Sequence, residues 1–202
     1  IRRRYHAPKN QLKQNMNEDL RKAVEVLKKG GIILYPTDTI WGIGCDATNE
    51  EAVEKLFAIK KREKDKSMLI LLDNPAKLQT YVEDVPDIAW DLIDLTDKPL
   101  TIIFNGAKNL ASNLICDDST IGIRITSEDF SRDLCTRFRK PIVSTSANFS
   151  GMKSPQNFNQ IDTEIIDLVD YVVEYRQSEM IKQVPSSIIK LETNGNIEII
   201  RK

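Results

Sequence analysis

Residues 32–47 read IILYPTDTIWGIGCDA, and this stretch decides the fold. Ile32 to Tyr35 is a short apolar run bounded by Gly31 and Pro36, the pattern of a buried strand. Pro36 cannot donate to a sheet ladder, so the strand stops there and a loop rich in hydroxyls and glycines follows. A helical pattern begins behind Asn49, whose side chain suits an N-cap, with Ala52, Val53, Leu56, Phe57 and Lys60 on one side. Strand, loop and capped helix in this order form the repeating unit of an α/β sheet. Ligands of such sheets sit beyond the C-terminal ends of strands.

Working outward, Asn17 is expected to cap a first helix carrying Leu20, Ala23, Val24 and Leu27 on one face and stopping at Gly30. Before it, residues 1–16 hold five basic side chains (Arg2, Arg3, Arg4, Lys9, Lys13) and no acid. They read as a basic segment leading into a domain of residues 17–202. Downstream, strands are expected over Met68 to Leu72, Leu100 to Phe104 and Thr120 to Ile125, with helices over 75–82, 86–96 and 128–138. Thr120 to Ile125 sets Ile121, Ile123 and Ile125 against Gly122 and Arg124, as a strand with one buried face would. The strand at Pro141 to Val143 runs into a second hydroxyl-rich loop, STSANFSG. A helix near 162–169 and strands at 171–174, 186–191 and 197–200 complete the chain, with a hairpin turn at Asn194-Gly195. The expected architecture is a single-domain α/β fold: a twisted mixed sheet with helices packed on it.

Composition removes several function classes. The 202 residues include one histidine, His6, so a Ser-His-Asp triad, a Cys-His dyad or a His-rich zinc cage has no imidazole in the body of the chain. Lys plus Arg totals 29 against 30 for Asp plus Glu, which leaves a net charge of −1 and no global attraction to nucleic acid. Three cysteines, Cys45, Cys116 and Cys135, form no CxxC pair and suit a reducing cytoplasm. No apolar run approaches the roughly 18 residues that a membrane-spanning helix needs. No GxxxxGK[ST] is present, and Gly42-Ile43-Gly44 is only a fragment of a dinucleotide fingerprint. Cys45 reads as a small buried thiol.

Three features remain that can carry chemistry. The loops PTDTIWGIG and STSANFSG both leave strands and offer hydroxyls and backbone amides to anionic oxygens. The run IKKREKDKS at residues 59–67 crowds Lys60, Lys61, Arg62, Lys64 and Lys66 at a helix end, which suits a polyanion such as a triphosphate. Arg124, flanked by isoleucines on a strand, suits a guanidinium aimed at a carboxylate.

Taken together, PTDTIWGIGCDA, the Lys60-Lys61-Arg62 triplet and STSANFSG resemble the YrdC-like family, over roughly residues 18–201. The resemblance implies a nucleotidyltransferase that joins L-threonine, bicarbonate and ATP into threonylcarbamoyl-AMP with release of pyrophosphate. A downstream transferase complex would then modify adenosine 37 of tRNA. It implies Lys60, Arg62, Ser146 and Asn148 as catalytic residues. Lys60, Arg62, Lys66, Thr120, Asn148 and Arg201 would contact ATP, and Thr39, Arg124, Ser146 and Ser186 would contact threonine, with Ser187 as the alternative to Ser186. Magnesium would be bound through the ATP phosphates, with no protein metal site. Where the family carries a tryptophan-proline-glycine-proline run before its LT strand, this chain reads LTDKPLT. The alternative is a non-catalytic double-stranded RNA or tRNA-binding protein of the same fold, using Arg2 to Arg4 and the KKREKDK face.

Overall fold

A computed structural model describes residues 9–61 and 68–202. In chain order the elements are α1 (Lys9–Lys28), β1 (Ile33–Tyr35), β2 (Gly42–Gly44), α2 (Glu50–Lys60), β3 (Leu69–Leu72), α3 (Leu78–Tyr81), α4 (Asp87–Leu95), β4 (Leu100–Asn105) and β5 (Thr120–Ile125). Then come α5 (Asp129–Phe138), β6 (Ile142–Ser146), α6 (Thr163–Leu168), β7 (Tyr171–Val172), β8 (Ser187–Leu191) and β9 (Ile197–Arg201). Among the described residues the strands form one mixed sheet in the order β7-β1-β2-β6-β3-β5-β4-β8-β9. Parallel pairs are β1–β7, β3–β5 and β4–β8; the other neighbours run antiparallel. The expected α/β architecture is what the chain adopts.

The core lies between the sheet and its helices, where Ile33, Leu34, Ile43, Ile70, Ile121 and Val143 meet Leu20, Leu27, Leu56, Phe130 and Leu134. Burying each such side chain contributes about 1.5–3 kcal/mol. Local signals agree with this packing. Asn49 accepts the Ala52 N–H at 3.1 Å and starts α2, and Glu128 accepts the Ser131 N–H at 2.8 Å and starts α5.

Three elements differ from expectation. First, α1 begins at Lys9, so Asn17 lies inside a helix instead of capping it, and its Oδ1 accepts from Arg137 Nη2 of α5. Residues 9–16 contain no glycine or proline, and Leu12, Met16 and Leu20 continue the apolar spacing. Packing of α1 on α5 then decides the length. Second, GIG forms the buried strand β2, inserted between β1 and β6, where a loop was expected. The glycines are there for proximity: a Cβ on Gly44 would stand 2.2 Å from the Val143 carbonyl. Third, β6 continues through Ser146, so Ser144, Thr145 and Ser146 of the STSAN loop are strand. On β5, Arg124 and Gly122 are buried as well as Ile121 and Ile123, so both faces are covered and not one.

Candidate active site

The register of the central strands gathers the polar residues. Ser144 pairs with Leu69 and Leu69 with Gly122, while Arg124 pairs with Thr101 and Thr101 with Ile188. Side chains alternate along each strand, so one face carries Ser144 and Ser146 of β6, Leu69 of β3, Arg124 of β5, Thr101 of β4 and Ile188 of β8. A cavity of about 180 Å³ opens on this face. Thr39, Trp41, Gly42, Ser144, Ser146, Ser154, Arg124, Ser186 and Arg201 are among the residues that line it.

Five residues implied by the resemblance thus converge on one cavity: Thr39, Arg124, Ser146, Ser186 and Arg201. Ser186, not Ser187, faces it, because Ser187 is the first residue of β8 and carries the ladder instead. The Ser186 hydroxyl lies 2.8 Å from Thr101 Oγ1, and its carbonyl accepts Arg201 Nε at 2.9 Å. Thr39 is fixed by Thr37, whose Oγ1 accepts the Thr39 N–H at 3.0 Å and donates to the Ile40 carbonyl at 2.8 Å.

Two guanidiniums in so small a space repel. Arg201 has its pKa held below the ordinary value, first by burial and then by the charge of Arg124. Arg124 faces Asp38, with Nε 3.0 Å from Oδ1, and the two side chains are 4% and 6% exposed. The contact is an ion pair whose angle misses hydrogen-bond geometry, so neither of these two atoms has an aligned partner among the described residues. Burial raises the Asp38 carboxyl above the usual aspartate value, and Arg124 opposes that rise.

Other implied residues stand apart from the cavity walls. Lys60 is 1% exposed, and its Nζ donates to the carbonyls of Ser146 and Asn148, which ties the end of α2 to the STSAN loop from beneath. Asn148 donates through Nδ2 to the carbonyls of Phe149 and Met152, closing the same loop. Thr120 shares the face of Arg124 but sits four residues up β5, about 13 Å away at the rise of a strand. Its hydroxyl donates to Asp118 at 2.6 Å. Arg62 and Lys66, like His6 and Arg2 to Arg4, lie outside the described residues.

Sequence reasoning missed Asp38, Thr101, Ser144 and Trp41. Asp38 had a signal, since it is the lone charge in a loop of hydroxyls. Ser144 opens the STSANFSG segment and so had a signal too, whereas Thr101 had none, because strand register alone sets it beside Ser186. Among the described residues no group of three or more His, Cys, Asp or Glu is placed to hold a metal ion, and no helix is long and apolar enough to cross a membrane. Cys45 is buried, and burial pushes its thiol pKa up, as suits an inert small side chain.

Comparison with known proteins gives the following. The sequence model of the family named Sua5_yciO_yrdC, described as "Telomere recombination", matches residues 25–202. A protein of Pseudoalteromonas translucida named threonylcarbamoyl-AMP synthase is 36% identical over 155 residues, covering 75% of this chain and 83% of its own. A relative from Methanocaldococcus jannaschii is 38% identical over 190 residues, covering 91% of this chain and 88% of its own. The crystal structure of P. abyssi Sua5 complexed with L-threonine superposes with a TM-score of 0.77 at 22% identity, over 85% of this chain and 50% of that one. The structural likeness concerns the fold.

Proposed function

This chain belongs to the Sua5/YciO/YrdC family, and on that premise we propose that it is a threonylcarbamoyl-AMP synthase using the cavity described above. The observation that carries the reading is the convergence of Arg124 and Arg201 on a cavity walled by the hydroxyls of Thr39, Ser144, Ser146 and Ser186. Two cations and several neutral donors suit a substrate pair that brings a carboxylate and phosphates together.

The chemistry needs no protein nucleophile. Threonine and bicarbonate lose water to give the threonine carbamate. One carbamate oxygen attacks the α-phosphorus of ATP, the bond from that phosphorus to the bridging oxygen breaks, and pyrophosphate leaves. The protein positions the reactants and offsets charge. Arg124 pairs with the α-carboxylate of threonine, and Thr39, Ser146 and Ser186 supply its hydroxyl partners. Arg201 faces the phosphates. Thr120, further along the β5 face, Asn148 and the Arg62 and Lys66 positions serve the nucleotide. Lys60 acts through the loop it holds, by keeping Ser146 and Asn148 in place.

Magnesium enters as part of the ATP substrate, on its phosphates. The product is handed to a separate transferase complex for tRNA modification in the cytoplasm. Of the basic residues that the RNA-binding alternative draws on, Lys60 is buried and Lys61 is paired with Glu164, the rest lie outside the described residues, and the named relatives favour the enzyme. Purified protein with magnesium-ATP and bicarbonate should release pyrophosphate only when L-threonine is added. Threonine-independent release would overturn the assignment.

A further inference from the structure

Asp38 is the one charged residue of the PTDTIW segment, and it does not line the main cavity. It opens instead onto two neighbouring clefts, one shared with Glu128 and Arg176, the other with Pro99 and Ile125. Its carboxylate therefore approaches Arg124 from the side away from the cavity, at 3.0 Å from Nε. A guanidinium held along its Nε edge keeps its Nη end for a second carboxylate.

The backbone on both sides of Asp38 is clasped. Arg176 Nη1 donates to the Thr37 carbonyl at 3.1 Å, and the Gln183 amide nitrogen, in the orientation that satisfies its neighbours, donates to the Thr39 carbonyl at 2.8 Å. Arg176 is itself paired with Glu128 at 3.3 Å and with Glu179 at 2.8 Å. The carboxylate is thus fixed by its loop and not by a flexible stem. Arg124, by contrast, is a long side chain facing a second guanidinium across the cavity, and without a counter-charge the repulsion from Arg201 would turn it away.

We propose that Asp38 is a positioning residue of the threonine subsite: it holds the Nε edge of Arg124 against the repulsion of Arg201 and aims the Nη end at the α-carboxylate. The inference rests on the functional reading above and names the residue that holds Arg124 in place for the α-carboxylate.

The test is a double-mutant cycle on the full chain, with L-threonine binding read by calorimetry and KM values by pyrophosphate release. Asp38→Ala should weaken threonine binding by about tenfold or more while the KM for ATP stays within about twofold. Asp38→Asn, which keeps an acceptor oxygen at nearly the same place, should lose less. In an Arg124→Ala background, Asp38→Ala should cost no further threonine affinity, whereas a merely structural role would give additive losses. If thermal melting shows that Asp38→Ala does not fold, Asp38→Asn alone and in the Arg124→Ala background replaces it. Unchanged or tighter threonine binding, equal losses for ATP, or additive effects would overturn the proposal. Wild-type protein that binds threonine but releases no pyrophosphate would overturn the synthase reading alone, and wild-type protein that binds no threonine would overturn both.

Discussion

Arg124 and Arg201 wall the same cavity, but they are held in different ways. Arg124 lies on β5 in the middle of the sheet, 3% exposed, between β3 and β4 and against the carboxylate of Asp38. Arg201 is the last residue of β9, an edge strand whose residues are all exposed, and its contacts are to the carbonyl and, at 3.5 Å, the hydroxyl of Ser186. The inner cation is part of the folded core and brings its own counter-charge. The rim cation depends on β9, an outer strand that meets the sheet only through β8. Under the proposed function, this arrangement would fix the end that meets threonine and leave the end that meets ATP on the exposed edge strand.

The widest separation between the two should come from truncating each. Arg124→Ala leaves Asp38 buried without its partner, so we expect a stability loss of about 3–5 kcal/mol in denaturant unfolding, along with loss of threonine-dependent turnover. A loss below 1 kcal/mol would show that the pair is not part of the core after all.

Lys60 tests whether the inner wall extends beneath the STSAN loop. Lys60→Ala removes a buried ammonium from two carbonyls, and a cost of about 1.5–3 kcal/mol is expected together with a sharp drop in turnover. Lost turnover at full stability would place Lys60 on the phosphates instead.

On the rim, Arg201→Ala should raise the KM for ATP by about tenfold and leave the melting temperature close to wild type, since Ser186 keeps its hydrogen bond to Thr101. A large fall in melting temperature would erase the contrast between rim and wall. The smallest effect is expected at Ser186→Ala, which removes the hydroxyl's contacts with Thr101 and Arg201 and should cost about 1 kcal/mol of stability. Its threonine KM should rise without a matching change for ATP; a change in ATP alone would reassign the serine.

Much of this was legible in the chain. The strand at Ile33, the Asn49 cap and the Ile121–Ile123–Ile125 alternation are local signals, and the two hydroxyl loops announced a site at strand ends. Arg124 stood out because an arginine among isoleucines needs a partner. The failures were also local in cause. Asn17 looked like a cap because capping residues within helices and at their ends are the same residue types, and GIG looked like a loop because glycine signals both turns and close strand approach.

The sequence by itself determined the class of the fold, the scarcity of histidine and the residues able to meet anions, because those follow from residue type and short-range periodicity. Only the tertiary structure decided that Lys60 reaches the carbonyls of Ser146 and Asn148, that Asp38 stands beside Arg124, that Ser144 lines the cavity and that Thr101 meets Ser186. Those facts depend on sheet order and register between strands distant in sequence, such as β5 beside β4 and β4 beside β8. Pairing of that kind is fixed by the packing of the whole sheet and leaves no trace in any one stretch.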